Sequence, residues 1–154
     1  MKHKQILKFG LIAGSGTVAY FLLFYLINPR LMLHPAIWWA SLLIYIWGMV
    51  KVLQATGAEF GENWSVLVAV RFPFGVFVLA NLLFYIFYYL LFAIIDPELV
   101  NLQKELLTAN ENFADQLKDQ DLSLTLSGTF FNYIYSLIGG FIIALVVSAI
   151  VVRQ

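Results

Sequence analysis

Two histidines, nine carboxylates and no cysteine are the reactive groups of this chain, and their spacing limits what they can do. His3 and His34 are separated by an uncharged apolar run from Phe9 to Ile27. A run of that length crosses a bilayer, so the two imidazoles fall on opposite sides and cannot share a metal or a proton. The absence of cysteine excludes disulfides, thiolate metal sites and thiol nucleophiles. Glu59 and Glu62 flank Gly61 as a loop pair and read as solvated carboxylates. The serines lie in no nucleophile-elbow pattern and have no base partner in the apolar runs. No Asp, Glu or Lys sits in the middle of an apolar run, where an ionisable group marks a proton or ion path. The expectation is a non-enzyme with no catalytic, cofactor-binding or metal-ligating residues.

The amides and small residues remain. Asn81 is the one amide well inside the third apolar run, and in hydrocarbon it needs a hydrogen-bond partner. Asn132, Ser136, Gly140, Ala144 and Ser148 recur at four-residue steps, and Gly10 and Gly14 form a second such pair. Small side chains on one helix face let another helix approach closely. Either these two ridges pack on each other within one bundle, or one of them faces another subunit.

The elements that must carry these residues follow from composition. Of 154 residues, 62% are hydrophobic and 12% charged, about half the charge of a soluble domain. That is an all-α polytopic membrane protein, a single integral domain with room for four spans. Net charge is zero, which gives no footprint for nucleic acid. The spans are expected at about 9–27, 35–53, 74–95 and 128–152. The first follows Lys2, Lys4 and Lys8 like a signal peptide, but no small-x-small cleavage site follows it, so it is read as retained. Arg71 and Pro73 interrupt the apolar region from Trp64 to Ile95, and two arrangements satisfy them. One is an interfacial helix from about Glu59 to Phe72 followed by the third span; the other is a single tilted, kinked helix.

The third span stops at Asp96-Pro97-Glu98, where Asp96 is expected to cap the next helix. From there to Asp121 the chain carries seven carboxylates and two lysines. Leu99, Leu102, Leu106, Phe113 and Leu117 recur at three-, four- and seven-residue steps, which predicts an amphipathic helix over about 97–119 outside the membrane. Its stripe must lie on lipid, on the protein's own spans or on a partner, and these five residues are the candidates for partner docking. With the N-terminus cytoplasmic, six basic residues lie inside (Lys2, Lys4, Lys8, Lys51, Arg71 and Arg153) and three outside (Arg30, Lys104 and Lys118). Both termini are then inside and the amphipathic helix outside.

Several stretches resemble the membrane-protein family called domain of unknown function 4199. They are Leu7 to Gly14 opening the first span, Glu59-Phe60-Gly61, Ile95-Asp96-Pro97-Glu98, and Gly139-Gly140 in the last run. Arg71 and Pro73 depart from the smoother entry expected into the third span. The resemblance implies four spans, a bacterial inner membrane and a Bacteroidota source, with no activity or functional residues to carry over. The functional expectation is an accessory or scaffold subunit bound to other integral membrane subunits and lipids, or to copies of itself. The alternative is a small oligomeric transporter or channel lined by Asn81, Asn132 and Ser136.

Overall fold

The computed structural model describes residues 2–60, 64–109 and 124–153, and every regular element among them is helical. The helices are α1 (Lys2–Ile27), α2 (Pro29–Met32), α3 (Pro35–Gly57), α4 (Val66–Ala69), α5 (Arg71–Leu90), α6 (Glu98–Thr108) and α7 (Leu126–Val152). Four stretches are long and apolar enough to cross a membrane: α1 from His3, α3, the Val66–Ile95 run that contains α5, and α7. The chain is a multi-pass membrane protein.

Local chemistry sets most helix ends. Asn28 turns extended after α1, and its side chain accepts from the Arg30 amide at 2.9 Å while Pro29 opens α2. His34 repeats the device, its Nδ1 accepting from the Ala36 amide at 3.2 Å with Pro35 next. Proline suits the first helical position because that N–H has no partner in the helix. α3 continues past the expected end at Leu53 to Gly57. Fully buried Thr56 makes this possible by donating its hydroxyl to the Val52 carbonyl at 2.7 Å, so no polar group is stranded.

The expected interfacial helix over 59–72 is reduced to the single turn α4, and Gly61 and Glu62 lie outside the described residues. Pro73 falls in the first turn of α5, where its missing N–H costs nothing, so α5 starts at Arg71. α4 runs into it as part of one apolar stretch, Val66–Ile95, nearer to the single-helix alternative. The Arg71 side chain turns back, Nε donating to the Val68 carbonyl at 3.0 Å and the guanidinium lying 5.4 Å over the Phe72 ring. At its far end α5 widens into a π turn, Leu91–Ile95, closed by the Asp96 amide on the Leu91 carbonyl at 2.8 Å. Asp96 does not cap α6, which has no side-chain cap. Its carboxylate accepts instead from the Tyr25 hydroxyl at 3.0 Å, tying the end of α1 to the end of α5.

α5 is the hub on which α1, α3 and α7 all pack. The expected packing of the first span on the last is replaced by two separate contacts with the third. Gly10 and Gly14 of α1 lie against Leu79, Ala80 and Leu83 of α5, and Gly140 of α7 lies against Phe77 on another side of α5. Each glycine makes a hollow, and α5 supplies bulky side chains to fill it. Gly48 of α3 completes the centre, where a methyl would lie 3.0 Å from the Ala13 Cβ and 3.2 Å from Val76.

α6 folds back on the bundle. Leu99 is 2% exposed and joins Phe21, Met32, Phe84, Leu91 and Phe92 in one apolar cluster, with Leu102 packed against it. Gln103 accepts from the Tyr88 hydroxyl at 3.5 Å, and the exposed Arg30 pairs with Glu105 at 3.0 Å. Leu99 is therefore covered by the protein's own spans, and Leu102 is half-buried against them. Burying a leucine against α1 and α5 uses apolar surface that those spans already expose at this end. Leu106 is half-buried, while Phe113 and Leu117 lie outside the described residues.

Candidate functional site

α3 and α7 meet around Met49, Val52, Ala144 and Val147, which share one core cluster. Nearer the α6 end a cleft of about 220 Å³ opens over α5. Its polar lining is Ser41 and Tyr45 from α3, Asn81 and Tyr85 from α5, and Ser136 from α7. Phe21, Trp38, Phe77 and Phe84 wall it, and Gly139 stands at its rim with open space where a Cβ would be. Asn81 is ten residues into α5 from Arg71, roughly 15 Å along the helix axis. In a hydrocarbon core of about 30 Å, that is close to the mid-plane.

The polar groups here hold the helices together. The Asn81 amide donates to the Ser136 hydroxyl, and Ser136 donates to the Tyr133 carbonyl at 2.6 Å. Tyr133 donates to the Val78 carbonyl at 3.1 Å. α5 and α7 are thus joined by one bond in each direction. Thr17 gives its hydrogen to the Ala13 carbonyl at 2.9 Å and Ser41 gives its own to Trp38 at 2.6 Å. Among the described residues, Ser148 is the buried hydroxyl left without a partner. Buried carboxylates, imidazoles and ammonium groups are absent among the described residues, and no three His, Asp or Glu side chains come close enough to hold a metal. The cleft can bind and orient, and its walls carry no group suited to moving a proton at neutral pH.

Of the residues singled out by spacing, Asn81 and Ser136 come together, Gly140 lies against Phe77 of α5, and Ala144 and Ser148 are buried. Asn132 is exposed and forms no hydrogen bond with the described residues. Asn81, Asn132 and Ser136 therefore do not line one surface. A four-residue step turns about 400°, so such a ridge drifts some 40° per step and leaves a straight interface within a few turns. Tyr45 and Tyr133 were not singled out by the sequence. Their signal was depth, since Tyr45 lies ten residues inside α3, away from the interface where membrane tyrosines concentrate. A second groove, about 260 Å³ between Leu82, Tyr89 and Phe130, presents almost entirely carbon.

Over residues 8–153 the chain matches the family described as "Protein of unknown function (DUF4199)". No curated protein and no solved structure matches it.

Proposed function

We propose that this chain, which belongs to the family of proteins of unknown function DUF4199, is a non-enzymatic accessory or scaffold subunit of a bacterial inner-membrane assembly. It acts by holding other integral membrane subunits through helix contact. The observation that carries this reading is Asn132. It lies six residues inside α7, roughly 9 Å along the axis, on a face shared with exposed Phe131 and Tyr135. An amide facing hydrocarbon without a partner is costly, and a neighbouring transmembrane helix is the usual source of that partner. The bonded pair Asn81–Ser136 puts two of the three residues of the transporter alternative into a contact between helices, which favours the scaffold reading. Lys4, Lys8, Lys51, Arg71 and Arg153 belong to the same end of the bundle as the N-terminus, which supports a cytoplasmic location for both termini.

The test is a photo-crosslinker in place of Asn132, compared with one at Leu23 on the exposed face of α1. Asn132 is expected to give a discrete protein adduct in intact membranes, and Leu23 only lipid adducts. An adduct to the chain itself would identify the partner as a second copy. Lipid adducts alone at both positions would refute the scaffold reading.

A further inference from the structure

The mid-membrane cleft has a chemistry that helix packing does not use. We infer that it is a binding site for a bilayer-dissolved molecule carrying a hydroxyl on a flat ring, a lipid-soluble phenol. Four observations lead there.

The first is depth. Asn81 lies near the middle of its span, about 15 Å from Arg71, so phospholipid headgroups do not reach it. A polar group meeting Asn81 must belong to a molecule that dissolves in the hydrocarbon. The second is the hydrogen-bond inventory. The hydrogens of Thr17, Ser41 and Ser136 are already given to backbone carbonyls. Tyr45 and Tyr85 also line the cleft, and a phenol hydroxyl can both donate and accept. What remains for a ligand is the two tyrosine hydroxyls and the Asn81 carbonyl oxygen, which accepts from none of the described residues. The second hydrogen of the Asn81 amide is also left, since the first goes to Ser136. A ligand hydroxyl can donate to the Asn81 oxygen and accept from its nitrogen, whereas a bare carbonyl would leave the Asn81 oxygen unmatched.

The third observation is shape. The cleft holds about 220 Å³, enough for one or two fused rings and too small for another helix. Trp38 and Phe84 stand edge to face, centroids 5.6 Å apart, as aromatic walls for a ring to lie against. The fourth is access. A Cβ at Gly139 would meet nothing within 4 Å, so the mouth lies open on the α7 side.

The experiment uses the full-length protein in lipid nanodiscs and equilibrium dialysis with three labelled probes. 1-Naphthol carries ring and hydroxyl, 1-methylnaphthalene the ring alone, and 1-decanol the hydroxyl alone. The expected result is one saturable site per chain for 1-naphthol above the linear lipid partition. Affinity should fall about tenfold for either of the other probes, and about tenfold for 1-naphthol in Asn81→Leu. Gly139→Phe fills the mouth from an exposed position and should abolish the saturable component while leaving the circular dichroism unchanged. It carries the test alone if Asn81→Leu does not fold. Linear partition only, equal in both variants, overturns the proposal. So does equal affinity for 1-methylnaphthalene, which would make the cleft an unselective apolar slot, or for 1-decanol, which would make it an acyl-chain site.

Discussion

The adjacent glycines of α7 test whether α5 is the hub. Gly139 and Gly140 share a helix, a depth and a composition, and differ only in direction. A methyl at Gly140 overlaps the Phe77 ring, with Cζ only 2.7 Å away. Phe77 is 5% exposed and leans on the Tyr45 ring at a centroid distance of 5.2 Å, so it has little room to swing aside. Forcing a methyl into a filled site costs about 1–3 kcal/mol. If α7 backs away instead, the Asn81–Ser136 and Tyr133–Val78 bonds stretch, and interhelical bonds in membranes contribute about 0.6–2 kcal/mol each. Gly140→Ala should therefore lose about 2 kcal/mol, roughly thirtyfold in the folding constant. At Gly139 no atom lies within 4 Å. In water a helical Gly→Ala change gains about 1 kcal/mol, but a span stays helical in the membrane-bound unfolded state, so that gain largely cancels. Gly139→Ala should change stability by less than about 0.5 kcal/mol. Titrating purified protein in mixed micelles with dodecyl sulfate, and following near-ultraviolet circular dichroism, gives both midpoints. Equal midpoints, or a larger loss at Gly139, would refute the assignment of α7's buried face.

Leu99→Ala should cost about 2–4 kcal/mol in the same titration, because Leu99 is buried among Phe21, Phe84 and Phe92. Leu107→Ala, 40% exposed on the other side of α6, should cost under about 0.5 kcal/mol; comparable losses would mean that α6 is not folded onto the spans. A double-mutant cycle of Asn81→Ala and Ser136→Ala should return a coupling of about 0.6–2 kcal/mol, and additive effects would show that the bond between α5 and α7 contributes nothing.

Membrane residence and element count were legible without any structure, because both depend on short-range chemistry. A bilayer admits backbone only as satisfied helix, so uncharged runs bounded by Asn28-Pro29, His34-Pro35 and Asp96-Pro97 had to become spans. Proline and its preceding residue act within one turn, and the helix starts at Pro29 and Pro35 lie where they place them. The exclusion of a two-histidine site was equally legible, since it needed only the length of α1. Asn81 stood out because a lone amide in an apolar run is an anomaly wherever its partner lies.

Partner choice was decided only when the helices came together. Small residues at four-residue steps state that a helix can approach another closely, and the pattern is identical whichever helix fills it. Gly10, Gly14 and Gly140 all found α5, which packs on both α1 and α7 and offers Leu79, Leu83 and Phe77 to their hollows. Asp96 had a sound local role as a helix cap, yet it accepts from Tyr25, 71 residues away in sequence. The stripe on α6 likewise reads as unpartnered until the ends of α1 and α5 are seen to expose the aromatic cluster that receives Leu99. The cleft is the furthest from sequence of all, since it arises where α3 and α7, in contact further along, open over the same helix. Sequence determines what each face wants, and the tertiary packing decides which faces meet, because any complementary surface of the right shape satisfies the same local demand.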